Sequence, residues 1–161
     1  MYCFSGGKIA RQQLWAGWVF YNPNIQPRQE YLKRLAAAKK LAKILDFKMF
    51  KEKYQPAQHL RKTQNLAKPA RCHACYKLRL DKTAQKAAEL GIKYFTLTLL
   101  VSPYQDLVKI KQIGQVVAKK YDLNFIDFDF VKDFRAGRTK ARQLSLYCQK
   151  YCGCLKSLKE K

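Results

Sequence analysis

The first half of the chain changes from a strand-like to a helix-like pattern of hydrophobic positions. Residues 18–21 are an aromatic and β-branched run closed by Asn22-Pro23-Asn24, which predicts a strand ending in a turn. After Pro27, apolar residues recur at helical spacing up to Leu45 while Lys and Arg fill the other face. This pattern predicts an amphipathic helix of about 18 residues. A short strand is expected at 47–50, and the proline-containing stretch 55–70 is expected to be an irregular connection.

The second half of the chain again alternates strand-like and helix-like patterns. Its predicted elements are a helix at 72–90 closed by Gly91, a central strand at 92–101, a helix at 104–121, a half-exposed strand at 124–130 and a short helix at 139–149. Strands that alternate with helices predict an α/β fold, a three-layer sandwich with a mostly parallel sheet that is Rossmann-like or PP-loop-like. We expect one domain over 1–161, in which residues 150–161 form a C-terminal redox motif and tail.

Charge then narrows the class of partner. The chain has 33 basic and 11 acidic residues, a net charge of +22 on 161 residues, with 48% hydrophobic and 13% aromatic content. So apolar a sequence is not a disordered basic tail, and the surplus of positive charge predicts a polyanionic partner. No membrane-spanning stretch and no secretory signal are recognised, so a cytoplasmic location is expected. In that compartment, six cysteines indicate metal or redox chemistry rather than a disulfide framework.

Two pairs of cysteines carry the strongest chemical signal. Cys72-His73-Ala74-Cys75 lies at a predicted helix start, where the helix dipole and Arg71 are expected to favour thiolates. Such a spacing suits zinc, an iron–sulfur cluster or a redox dithiol. His73 is expected to be exposed rather than a ligand. In Cys152-Gly153-Cys154 a disulfide would close a small, easily reduced ring, which favours electron transfer.

Other interpretations of the cysteines stay open from the residues alone. The two pairs could together form one structural zinc site with four thiolate ligands. Cys148, one helical turn before Cys152, could be only a small apolar residue. Ser5-Gly6-Gly7-Lys8 looks like the opening of the phosphate loop of PP-loop ATP pyrophosphatases, but Ile9-Ala10 do not continue that motif.

Five segments in order resemble the QueH family of epoxyqueuosine reductases, over almost the whole chain from about residue 18 to 155. They are residues 20–25, 30–35, 71–84, 98–104 and 146–154. The resemblance implies an oxidoreductase of tRNA processing that reduces epoxyqueuosine to queuosine at the wobble position, in queuosine biosynthesis. It implies tRNA and an electron donor as partners.

The resemblance also implies the site residues. Cys72 and Cys75 match the CxxC that holds a 4Fe-4S cluster in the family, with an additional iron as a further cofactor and zinc as the alternative metal. Cys152 and Cys154 match its redox-active disulfide. Cys3 best matches the last cysteine of an N-terminal Cys-Cys-x-x-Cys run, so it is a further candidate ligand. Basic and aromatic character, rather than the resemblance, makes Arg79, Tyr104, Arg135 and Arg138 candidates for substrate contact.

The N-terminus departs from the family pattern because no Cys-Cys pair precedes Cys3. We therefore expect the first strand to be truncated, through a start site inside the true gene or through divergence to an incomplete metal site. Two alternatives to a reductase stay open. The incomplete metal site suggests a vestigial or non-catalytic tRNA-binding homologue, and the segment Ser5-Gly6-Gly7-Lys8 suggests a PP-loop-type tRNA-modifying enzyme.

Overall fold

The computed structural model describes residues 2–4 and 16–159, and for residues 2–4 and 16 it describes the backbone only. The strands are β1 (Tyr2–Phe4), β2 (Ala16–Phe20), β3 (Lys48–Lys51), β4 (Tyr94–Phe95) and β5 (Asn124–Phe125). The α-helices are α1 (Arg28–Ile44), α2 (Pro56–Thr63), α3 (Ala70–Glu89), α4 (Leu107–Lys120), α5 (Phe134–Gln143) and α6 (Leu155–Lys159). Short 3₁₀ helices cover Thr98–Val101 and Val131–Asp133.

The described strands form one sheet in the order β3-β2-β1-β4-β5. The outer pairs β2/β3 and β4/β5 are parallel, each joined through a crossover that contains a helix, as predicted for an α/β fold. The prediction of a mostly parallel sheet is wrong, because β1 is antiparallel to both β2 and β4. The sheet is therefore mixed, with its two parallel pairs on either side of a reversed central strand.

Successive residues of β2 serve two apolar cores because side chains alternate across a strand. Val19 belongs to the larger core, which contains Leu80 of α3, Ile110 of α4 and Phe95 of β4. Phe20 belongs to a smaller core with Tyr31, Leu35 and Ala38 of α1. The helices α3 and α4 thus pack on one side of β2 and α1 on the other.

The elements predicted within residues 18–50 and the helix α3 are confirmed to within two residues at each end, and four other predictions need correction. The central strand expected at 92–101 is only Tyr94–Phe95, because its partner strands β1 and β5 are three and two residues long. The chain then enters the 3₁₀ helix at Thr98. The strand expected at 124–130 likewise ends at Phe125.

The other two corrections concern helices. The irregular connection expected at 55–70 contains α2, in which Pro56 occupies the first helical turn and therefore favours the helix start. His59 and Thr63 of α2 are buried. The helix expected at 139–149 is α5, which begins five residues earlier and ends at Gln143. Residues 145–154 are consequently irregular rather than helical, with bends at 150, 151 and 153, and they carry Cys148 and both C-terminal cysteines.

Candidate functional site

A cavity of about 1000 Å³ lies where the end of β2, the start of α3, α5 and the segment 146–157 come together. Four thiols line it, those of Cys72, Cys148, Cys152 and Cys154. The two cysteine motifs, which are separated by some eighty residues of chain, therefore meet at one site. Other side chains that line the cavity include Asn22, Arg34, Arg71, Tyr76, Arg79, Tyr104, Phe134, Arg138 and Ser157.

Cys72 and Cys75 lie in the first two turns of α3, which begins at Ala70. Cys75 interacts electrostatically with Cys72 and with Cys154. Burial raises the pKa of Cys75 to about 11, and the nearby guanidinium groups of Arg79 and Arg71 only partly offset this. The expectation that the helix start and Arg71 favour a thiolate is therefore wrong for Cys75, because desolvation outweighs both positive charges.

Cys152 and Cys154 form an asymmetric pair of thiols. A hydrogen bond from Cys154 lowers the pKa of Cys152 and outweighs burial, which acts in the opposite direction. The same bond raises the pKa of Cys154. Ser157 contacts both sulfurs, since its Oγ lies 2.9 Å from Cys152 Sγ and its backbone N–H donates to Cys154 Sγ at 3.3 Å. A pair arranged in this way has one sulfur ready to attack and one still protonated.

We expect Cys152 to be the fastest-alkylated of the described cysteines. Because its pKa is lowered, its thiolate persists below pH 8.5, about the value at which an ordinary thiol is half ionised. Iodoacetamide labelling of metal-free, reduced protein across pH 5 to 9, read by peptide fragmentation, measures this. The rate at Cys152 should reach half its maximum well below pH 8.5, and Cys75, whose pKa burial raises, should react more slowly than Cys152. A half-maximum for Cys152 at or above about pH 8.5 would contradict the polarised pair.

An ion pair of α1 holds the backbone of the Cys152 segment in place. Arg34 donates from its guanidinium to the carbonyl oxygens of Tyr151 at 2.8 Å and Cys152 at 3.1 Å. Glu30 accepts from Arg34 Nε at 2.8 Å and from Tyr147 Oη at 2.7 Å. Burial alone raises the pKa of the Glu30 carboxyl, but the hydrogen bonds from Tyr147 and Arg34 lower it overall, so it stays ionised.

The turn after β2 makes the second set of contacts with this segment. Asn24 Nδ2 donates to the carbonyl of Cys152 at 3.1 Å, and the backbone N–H of Gln26 donates to that of Gly153 at 2.8 Å. The Tyr151 hydroxyl also donates to the carbonyl of Gln26. The sequence did not predict that Glu30, Arg34 and Asn24 hold this segment. The i,i+4 spacing of Glu30 and Arg34 shows that they can pair, but not what the pair holds.

Arg79 places a buried positive charge beside the cysteines. Its guanidinium donates to Asn22 Oδ1 at 2.9 Å, while its Nε has no hydrogen-bond partner among the described residues. It interacts electrostatically with Cys75 and Cys152. Because arginine remains protonated even when burial lowers its pKa, this charge stabilises negative charge on the nearby sulfurs.

The remaining predicted residues divide into those inside and those outside the cavity. Tyr104 and Arg138 line it together with Arg79, whereas Arg135 does not. The side chain of Cys3 and the segment Ser5–Lys8 lie outside the described part of the chain. His73 Nε2 pairs with Asp106 Oδ2 at 3.0 Å, and neither residue lines the cavity. Within residues 16–159 no group of three or more His, Cys, Asp or Glu side chains is arranged to hold a metal ion.

A family model described as epoxyqueuosine reductase QueH matches residues 6–160. The chain belongs to the QueH family. Its cavity accordingly lies within the part of the chain that matches the family, and so do both cysteine motifs. Within the described residues, no helix is both long enough and apolar enough to cross a bilayer.

Relatives named epoxyqueuosine reductase QueH agree with this membership. The protein of Helicobacter pylori is 38% identical, over 97% of this chain and 44% of the relative. The protein of Thermotoga maritima is 35% identical, over 91% of this chain and 81% of the relative. The protein of Streptococcus pyogenes is 32% identical, over 87% of this chain and 60% of the relative. This QueH-family chain thus spans less than half of one relative and four fifths of another.

Proposed function

We propose that this chain is an epoxyqueuosine reductase, which reduces epoxyqueuosine to queuosine in tRNA. The observation that carries the proposal is the polarised pair Cys152/Cys154 on the wall of a cavity that also contains Cys72. Membership of the QueH family, whose relatives bear this name, supports the same reaction. The high net charge of +22 suits a polyanionic substrate such as tRNA.

The electrons and atoms of the reaction balance with this pair of thiols. Reduction of an epoxide to an alkene breaks both C–O bonds, takes up two electrons and two protons, and releases the oxygen as water. Formation of a disulfide between Cys152 and Cys154 supplies two electrons and two protons. An external electron donor must then return the disulfide to the thiols.

The cysteines of α3 fit one half of a ligand set for an iron–sulfur cluster. Cys72 and Cys75 have the CxxC spacing, and the unpaired Nε of the buried Arg79 beside Cys75 indicates room for a further negatively charged group. Cys72 and Cys75 would hold the cluster, with Cys3 as a further candidate. When bound, a cluster supplies electron transfer and a Lewis-acidic iron. Arg79 would stabilise its negative charge.

We further propose the finer features of the fold. The helices on both sides of β2 support a three-layer sandwich of the Rossmann-like or PP-loop-like type. A single domain over 1–161 and a cytoplasmic location remain predictions of the same kind.

The test is anaerobic purification followed by a turnover assay. We expect brown protein with bound iron and sulfide, and conversion of epoxyqueuosine to queuosine in tRNA with dithionite as reductant, read by mass spectrometry of the digested nucleosides. Colourless protein with stoichiometric zinc would contradict the cluster. Salt-dependent tRNA binding without bound iron and without turnover would favour the non-catalytic alternative. A melting temperature raised by ATP and magnesium would favour the PP-loop alternative.

A further inference from the structure

We propose that Tyr104, Phe134 and Arg138 form a nucleotide-binding subsite at the mouth of the cavity. There, the base next to the modified nucleoside stacks on Tyr104, and its phosphate lies against Arg138. This inference rests on the proposed function, because it takes the single-stranded loop of a tRNA as the ligand. It adds the recognition of a neighbouring nucleotide, which the sulfur chemistry of the site does not require.

The first observation is an exposed aromatic ring with a fixed neighbour. Tyr104, in the loop before α4, is 79% exposed although tyrosine usually covers much of its apolar ring. Its ring meets that of Phe134 at 5.8 Å between centroids and 80° between planes. An edge contact of this kind supports the Tyr104 ring and leaves ring surface open to a planar ligand.

The second observation is a positive charge on the same cluster. The guanidinium of Arg138 lies 5.8 Å from the centroid of the Phe134 ring. Among the described residues, Arg138 forms no ion pair with a carboxylate, and no acidic residue occurs within α5. Arg135, on the same helix, does not line the cavity, so the structure separates the two arginines. Arg138 is therefore placed to meet a phosphate at the opening.

The third observation is that the cluster and the thiols share one cavity. Tyr104, Phe134 and Arg138 line the same space as Cys72 and Cys152. Single-stranded RNA loops are recognised by stacking of splayed bases on aromatic rings, with cationic side chains along the backbone. An exposed tyrosine and arginine also suit a protein partner. The charge of +22 and the wholly non-acidic α5 favour RNA.

The chain offers a matched control cluster of the same chemistry. Phe128 is 54% exposed, its ring lies 5.1 Å from that of Phe130, and Lys132 Nζ lies 5.4 Å from its centroid. None of these three residues lines the cavity. Substitutions at Phe128 and Lys132 therefore remove an exposed aromatic ring and a positive charge from another surface of the protein.

The experiment measures binding of an anticodon stem-loop RNA with an unmodified wobble guanine, by fluorescence anisotropy. A second copy of this RNA carries 2-aminopurine next to the wobble position. We expect Tyr104→Ala to weaken binding about tenfold, the scale of one base stacked on an aromatic ring, and to abolish quenching of 2-aminopurine. Tyr104→Phe should restore both. Arg138→Ala should make the slope of log Kd against log salt shallower by about 0.7.

The controls separate the subsite from general effects. Phe128→Ala and Lys132→Ala should leave affinity, quenching and salt slope as in the unsubstituted protein. Equal losses of RNA affinity in Tyr104→Ala and Phe128→Ala would overturn the subsite. Unchanged RNA affinity in Tyr104→Ala would also overturn it, and together with capture of a protein it would point to a protein partner. This RNA lacks the epoxide, so its binding can be measured independently of the reductase reaction. Tyr104-dependent binding of this RNA, together with no turnover of epoxyqueuosine-containing tRNA, would contradict the proposed function and leave the subsite standing.

Discussion

Replacement of Cys152 by serine is expected to lower turnover of epoxyqueuosine-containing tRNA roughly a thousandfold or more, as removal of a reacting sulfur does in enzymes with covalent or redox thiols. Cys152 is the sulfur whose pKa is lowered, by the hydrogen bond from Cys154. A serine hydroxyl cannot form the disulfide that supplies the two electrons. The measurement is single-turnover conversion of the modified nucleoside, followed by mass spectrometry.

Cys148 provides the matched control for this substitution. Its thiol lines the same cavity, but its polar contact is the carbonyl of Leu146 at 3.6 Å rather than another sulfur. Cys148→Ser should therefore retain turnover, and both variants should bind tRNA as the unsubstituted protein does. Turnover by Cys152→Ser within about tenfold of the control would contradict the assignment of Cys152 as an electron-supplying thiol.

The parts of the fold that could be predicted from the sequence are those where local pattern and tertiary packing agree. The helix α1 has long apolar periodicity and a proline before its first turn, and its bounds agree with the prediction. The strand expected at 92–101 has a strongly apolar sequence. Its length nevertheless depends on the neighbouring strands, which pair with only two of its residues. Such partners are not visible in a local window.

Some features of the candidate site could be predicted from the sequence, and others depend on the fold. The residues alone left open that both cysteine pairs form one site, and the structure places Cys72, Cys152 and Cys154 on the wall of one cavity. The direction of the pKa shift at Cys75 could not be predicted, because it depends on burial created by the rest of the fold. The hydrogen bonds from Arg34 to residues 151 and 152 join positions more than a hundred residues apart. No sequence periodicity reports contacts at that separation.

The glycine between Cys152 and Cys154 is expected to be essential for the shape of the site. Gly153 has φ +117°, which disfavours any residue with a Cβ, and an added Cβ would lie 2.8 Å from Ile25 Cγ1 and 3.2 Å from the Ile25 backbone. We expect Gly153→Ala to lower the free energy of unfolding by about 2–4 kcal/mol, through backbone strain and overpacking together. Urea denaturation followed by circular dichroism measures this loss.

Gly137 in α5 is the control, because an added Cβ there meets nothing within 4 Å. Since alanine is the better helix former, Gly137→Ala should raise stability by up to about 1 kcal/mol. Gly153→Ala should in addition slow iodoacetamide labelling of Cys152 at pH 7. The reason is that the bonds from Asn24 to Cys152 and from Gln26 to Gly153 cannot survive a shift of this turn. Unchanged stability together with unchanged labelling would show that residues 152–154 are not held as the structure places them.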